Sequence, residues 1–129
     1  MRNDEFRPRH DAAARVELGC PHFAAIFSLG ASLDLIKEIG IDNIQARVLE
    51  LNRYLTTQLA ESGFEVLSPL RDEESRSAET LVRVDQPHEV VRQLFQRGVI
   101  FTEKPEGIRV ATHFFNNEED VDRLIGALK

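Results

Sequence analysis

Apolar residues recur at helical spacing in four stretches of this chain, and between the later ones lie four runs too short for helices. That order constrains the fold more than any other feature, because a 3.6-residue period and a two-residue period bury different faces. The first helical stretch carries Phe23, Ile26, Phe27, Leu33, Ile36 and Ile39, with Leu29, Leu35 and several alanines on its other sides. A helix that is apolar almost all round is covered on more than one side. Gly40 is placed to end it. Asp42 or Asn43 is expected to cap the second helix, whose stripe is Ile44, Val48, Leu51, Leu55 and Leu59, and Ser62 and Gly63 stop it. Phe64 to Leu67 reads as a short strand closed by Ser68 and Pro69, and Thr80 to Val84 as a second strand. The charged stretch from Arg71 to Glu79 between them reads as a solvated loop. Pro87 opens a third helix that buries Val90, Val91, Leu94 and Phe95 and ends at Gly98. Val99 to Thr102 and Ile108 to Ala111 follow as strands around a turn at Pro105 to Gly107. Asn117, with Asp120 three residues on, opens a last helix with Val121, Leu124, Ile125 and Leu128 inward. The expected fold is α+β: a small, mainly antiparallel sheet of three or four strands with helices packed on one face.

The remaining properties bound the function. At 129 residues the chain fits one domain with a real core. Residues 1–14 read as a tail or a severed linker, and residues 15–129 as the domain. The single cysteine, Cys20, leaves no internal disulfide framework, and a cytoplasmic setting is the expectation. No run approaches the length of a membrane span. A net charge of −6 and the absence of tryptophan argue against a nucleic-acid surface.

Catalytic signatures are missing. The four histidines, His10, His22, His88 and His113, show no zinc-site spacing, so no metal ligand set is assigned. His88 reads as a surface residue in a first helical turn. The glycines lie at neither P-loop nor dinucleotide spacing, and no nucleophile elbow occurs. Two segments carry more. Gly19-Cys20-Pro21, just before the apolar helix, puts backbone N–H groups at a helix N-terminus, where anions bind; the plain alternative is a turn with a cap. Arg109 lies mid-strand between Ile108 and Val110 and points to the opposite face, either solvated or presenting its fork to a carboxylate or phosphate.

Together these segments, the helix pair LGASLDLIKEIGIDNIQARVLELNRYL, the strand FEVLSP and the stretch RGVIFTEKPEGIRVATHFFNNEEDVDRL resemble the C-terminal part of class V aminotransferases. Those are fold-type I pyridoxal-phosphate enzymes that include cysteine desulfurases, isopenicillin-N-epimerase-like and kynureninase-like proteins. The resemblance runs from about Arg15 to Lys129. It implies that Arg109 binds a substrate α-carboxylate. It also implies that Gly19 and Cys20 stand in a turn whose usual threonine reaches the cofactor phosphate of the other subunit. Cys20 replaces that threonine, and a thiol is a weak donor.

The Schiff-base lysine, the aspartate at the pyridine nitrogen and the ring-stacking residue of the family all lie upstream of the matching region. Here only Lys37, Lys104 and Lys129 occur, none in a comparable context. The resemblance therefore implies a C-terminal small domain, truncated, with no catalytic residue of its own and no pyridoxal phosphate bound to this chain alone. Partners expected are a missing large cofactor-binding domain and a second copy of the chain, through Phe23, Phe27 and Leu33. The competing expectation is a free-standing regulatory or interaction module, ACT-like or ferredoxin-like, binding a small acid or a protein.

Overall fold

The computed structural model describes Gly19 and residues 21–129. The expected tail, residues 1–14, and Cys20 lie outside the described residues. The chain divides into two units, Met1–Glu38 and Ile39–Lys129.

In the first unit the described element is helix α1, Phe23–Ile39. Its first turn is tied by the His22 imidazole, whose Nδ1 accepts from the Ala25 N–H at 3.3 Å. Ser28 and Ser32 return their hydroxyls to the carbonyls of Ala24 and Ser28, both at 2.9 Å, so neither interrupts the helix with an unpaired group.

The second unit holds α2 (Ile41–Glu61), β1 (Glu79–Arg83), α3 (Pro87–Gln96), β2 (Thr102–Lys104), β3 (Gly107–Ala111) and α4 (Glu118–Leu128). A single 3₁₀ turn at Glu73–Ser75, closed by a reciprocal Asp72–Ser75 capping box, interrupts the charged loop. The strands are ordered β1-β3-β2, all neighbours antiparallel. β1 and β2 thus run parallel with β3 inserted between them, and α3 makes the crossover.

Strand alternation sends Thr80, Val82, Ile108 and Val110 to one face. On that face Val82, Ile108 and Val110 meet Leu55 and Leu59 of α2 and Val121, Leu124 and Ile125 of α4 in one buried cluster. Val90 and Val91 of α3 pack against the same cluster. The α+β architecture with helices on one sheet face is as the sequence implied.

Four local readings need correction. Phe95, expected on the buried face of α3, is exposed, while Leu94 is buried and Val90 and Val91 are partly so. The second helix starts at Ile41 behind Gly40 (φ 88°), with no side-chain cap. Asn43 instead donates from Nδ2 to the Ile39 carbonyl at 2.7 Å, closing the preceding helix. Phe64 to Leu67 is not a full strand but one bridge, Val66 opposite Val82. Its start is taken by the helix end: the Phe64 N–H bonds back to the Leu59 carbonyl at 2.9 Å around Gly63, a Schellman closure. The same closure at Gly98 ties the Val99 N–H to the Leu94 carbonyl at 3.0 Å. Pairing with β3 consequently begins at Thr102, not at Val99.

Two expectations at helix starts hold. Pro87 occupies the first turn of α3. Asn117 and Asp120 form a complete capping box on α4.

Candidate functional site

Antiparallel pairing fixes what surrounds Arg109. Its neighbours across the ladder are Leu81 on β1 and Thr102 on β2. Because Ile108 and Val110 face the helices, Arg109 emerges on the opposite face, which no helix of this unit covers. The Arg109 side chain is a little over one-third exposed and forms an ion pair, Nη1 to Glu79 Oε1, at 3.2 Å. Its Nη2 donates to Thr102 Oγ1 at 3.3 Å. Arg109 is thus held in an open pair on the sheet surface rather than locked in a closed bridge within the core.

Around it lies an open concavity of about 470 Å³, lined by Ser68, Ser77, Glu79, Leu81, Lys104 and Arg109 among others. Ser68 is fixed at its rim by accepting the Leu81 N–H on Oγ at 2.8 Å, where a full fourth strand would have supplied a carbonyl. Two cations, Lys104 and Arg109, and two carboxylates, Glu79 and Glu106, share this open surface with the apolar side chains of Leu81 and Pro105. Such an arrangement exchanges one carboxylate partner for another readily, since exposed pairs of this kind contribute only ~0–1 kcal/mol.

Beside this concavity runs a second, smaller polar one of about 200 Å³ that shares Ser68, Ser77 and Glu79. Behind it Asn52, buried on α2, donates from Nδ2 to the buried Thr80 hydroxyl at 2.9 Å. Its Oδ1 accepts from Arg76 Nη1 at 3.0 Å. This network anchors the segment preceding β1 to α2, and so sets where Glu79 enters the sheet.

Sequence reasoning singled out Arg109 and missed Glu79, Thr102, Lys104 and Arg76. Glu79 shares the period-two face of Leu81, and that was the available signal. The cross-strand neighbours depended on a register that no local motif announces.

The other candidate, Gly19, has a left-handed backbone, φ 107°, and is exposed. Cys20 beside it is outside the described residues. Among the described residues no group of three or more His, Cys, Asp or Glu is arranged to hold a metal. His88 is largely exposed and its Nδ1 lies 3.0 Å from Glu103 Oε2, in keeping with a surface role. His113 stacks on Phe115 with ring centroids 4.8 Å apart, and its backbone N–H is accepted by Asn116 Oδ1 at 2.9 Å. It thereby forms the turn between β3 and α4.

Two contacts fasten α4 to α2 beside these elements. Arg47 pairs with both carboxylate oxygens of Glu118 at 2.9 and 3.0 Å. That hydrogen bonding raises the Arg47 pKa and lowers that of Glu118. The Tyr54 hydroxyl donates to Asp122 Oδ1 at 2.8 Å, which raises the phenol's pKa.

Comparison with known proteins places this architecture. Residues 44–128 match the family described as the kynureninase C-terminal domain. The kynureninase of Bacillus thuringiensis subsp. konkukian (strain 97-27) is 28% identical over 125 residues, covering 92% of this chain but 29% of its own length. A cysteine desulfurase of Dickeya dadantii (strain 3937) is 47% identical over 51 residues, or 40% of this chain and 12% of that protein. Among solved structures, the apo cysteine desulfurase of Thermococcus onnurineus NA1 shares the fold at a TM-score of 0.79 and 21% identity, over 88% of this chain and 32% of that one. Alanine–glyoxylate aminotransferase of Nostoc sp. aligns at a TM-score of 0.69 and 26% identity, over 90% of this chain and 33% of that one. The chain thus spans about a third or less of the length of these relatives. The resemblance to the C-terminal part of class V aminotransferases is borne out. With its matched region running from within α2 to the last residue of α4, the chain belongs to the kynureninase C-terminal domain family.

Proposed function

We propose that this chain acts as the small, substrate-side domain of a pyridoxal-phosphate enzyme of the class V type, with Arg109 as the anchor for a substrate carboxylate. The observation that carries this reading is the placement of Arg109. Its planar fork stands on the helix-free face of the sheet, partly open, in a concavity of mixed polar and apolar lining, and steadied by the Thr102 hydroxyl. A guanidinium so placed suits bidentate recognition of a carboxylate. The exposed turn at Gly19, with Cys20 after it, is the proposed approach of the cofactor phosphate from a second subunit.

The described residues do not themselves fit the whole cofactor. Lys37 is largely exposed and 3.8 Å from Asp34. Lys104 lines the Arg109 concavity, but the lining residues include no aromatic ring to stack on a pyridine. No reaction step is therefore assigned to this chain, and we read it as non-catalytic in isolation, supplying orientation and charge to a lysine-bearing large domain. No helix among the described residues is long and apolar enough to cross a membrane. The single cysteine supports a cytoplasmic setting. One observation favours the free-standing module instead. The split β-α-β order leaves one sheet face uncovered by the helices of this unit, a surface on which a small acid could be held through Arg109.

The test uses the chain with acetate, L-alanine and pyridoxal phosphate. Carboxylate titration is expected to shift NMR signals of Arg109, Thr102 and Leu81, and an Arg109→Met variant is expected to abolish those shifts. Shifts that survive in the variant overturn the role of Arg109. Borohydride treatment with stoichiometric pyridoxal phosphate is expected to trap no adduct at a single lysine. A specific adduct would show that the chain holds the cofactor unaided.

A further inference from the structure

The cleft beside the Arg109 concavity is bordered by a cation with no carboxylate partner among the described residues. Arg76 is half-buried where the chain approaches β1, and it lines this cleft of about 200 Å³ together with Ser68, Pro69, Leu70, Ser77 and Glu79. Every lining residue belongs to the second unit. Arg76 Nη1 donates to two neutral acceptors, Asn52 Oδ1 at 3.0 Å and Thr56 Oγ1 at 3.4 Å. Its Nε and Nη2 have no partner among the described residues, and no buried side-chain nitrogen or oxygen there is left unpaired. These two N–H groups are therefore reachable from solvent rather than sealed in the core. They form one edge of the planar guanidinium, the fork that takes two oxygens of one anion.

The nearby carboxylates are committed elsewhere. Glu73 accepts from Arg53 on both oxygens at 2.8 and 2.9 Å, Asp72 accepts the Ser75 N–H at 2.7 Å, and Glu79 pairs with Arg109 at 3.2 Å. An arginine is always charged, and partial burial against neutral acceptors alone leaves that charge under-compensated. Ser68 adds a donor. Its Oγ accepts the Leu81 N–H at 2.8 Å, while its hydroxyl hydrogen has no acceptor among the described residues.

We propose that Arg76 forms a second oxyanion site, in which the Nε–Nη2 edge takes two oxygens of a small carboxylate or phosphate and the Ser68 hydroxyl donates to the same group. The cleft is smaller than the roughly 300–1,000 Å³ of pockets for drug-sized ligands, so its occupant is a small anion or a single acidic group. The site is separate from the carboxylate anchor at Arg109 and does not rest on it. Because Arg76 is bonded to Asn52, which in turn holds Thr80, a bound anion also secures the entry of β1 against α2.

NMR titration of the full chain with sodium phosphate and, separately, sodium acetate at constant ionic strength tests this. Saturable shifts are expected at the Arg76 Nε–H, the Asn52 side-chain amide and the Ser77 N–H, and the anion that binds more tightly distinguishes a phosphate ligand from a carboxylate. Arg76→Met is expected to weaken binding at least about tenfold. Ser77→Glu keeps Arg76 with its bonds to Asn52 and Thr56 but sets a carboxylate at the cleft. It is expected to abolish the shifts while the α2 and α4 signals stay in place. An Arg109→Met/Glu79→Gln variant removes the neighbouring anchor without releasing its carboxylate, and the Arg76 shifts are expected to survive in it. Their loss there overturns the proposal by assigning the anion to Arg109. No saturable shift with either anion overturns it, and so do shifts that persist in Ser77→Glu.

Discussion

At the scale of single residues, Glu79 and Gly107 decide most about the candidate site. Glu79 holds Arg109 through one 3.2 Å contact on an exposed surface, so it competes with any incoming carboxylate for the same fork. Glu79→Gln is expected to leave stability within about 1 kcal/mol of the parent, because exposed pairs contribute little. It is also expected to tighten acetate or L-alanine binding a few-fold, read by NMR titration against the Arg109→Met background. No tightening would show that Glu79 is no competitor. Gly107 is required for a different reason. A Cβ built there would stand 1.9 Å from the Val82 carbonyl oxygen, a backbone atom that cannot swing away. Gly107→Ala must push β3 from β1 at the end of the strand that presents Arg109. A loss of about 1–3 kcal/mol is expected, read as a lower urea midpoint with an unchanged slope. Arg109 itself was legible in the sequence, because alternation places it opposite Ile108 and Val110. Glu79 and Thr102 were not, because their closeness to Arg109 comes from cross-strand register.

At the scale of elements, the ends of the helices set where the strands can begin. Asn117 satisfies the Asp120 N–H at 3.0 Å while Asp120 returns a bond to the Asn117 N–H at 3.2 Å. Asn117→Ala is expected to destabilise by about 1 kcal/mol, measured by thermal or urea unfolding. Asp120 is held below its ordinary pKa chiefly by the Asn116 amide and then by the Asn117 backbone, so acid weakens the same cap. Helix α3 offers a sharper titration. The Glu89 carboxyl is lowered to about 2 by the Arg92 guanidinium first and the Gln93 amide second. Its folded pKa lies below its ordinary value of 4.5, so its contribution is fully present above that value. It is lost as the pH falls toward about 2. A carboxyl NMR titration is expected to show that low midpoint, and Arg92→Met is expected to move it back toward the ordinary range. A midpoint unaffected by the variant would assign the shift to another cause.

At the scale of the whole molecule, the second unit is one buried cluster joining α2, α4 and the sheet, and Ile108 sits fully buried in it. Ile108→Ala is expected to cost about 2–5 kcal/mol and to lower the unfolding midpoints of all three elements together. Separate transitions for the helices and the sheet would show that the cluster is not cooperative. What the sequence by itself determined is local: the four helical periods, the stop at Gly40, Pro87 at a first turn, the Asn117–Asp120 box, and the largely apolar character of α1. Each is written within a few residues, where caps, φ preferences and periodicity act. The tertiary structure alone decided that β3 stands between β1 and β2, that Asn52 is buried against Thr80, and that Glu79 meets Arg109. It also set the late start of β2 and the reduction of Phe64 to Leu67 to one bridge, since both depend on Schellman closures competing with strand pairing. These outcomes join segments distant in the chain. They are selected by the sum of apolar burial and satisfied backbone groups over the whole core, a quantity that no short stretch of residues carries.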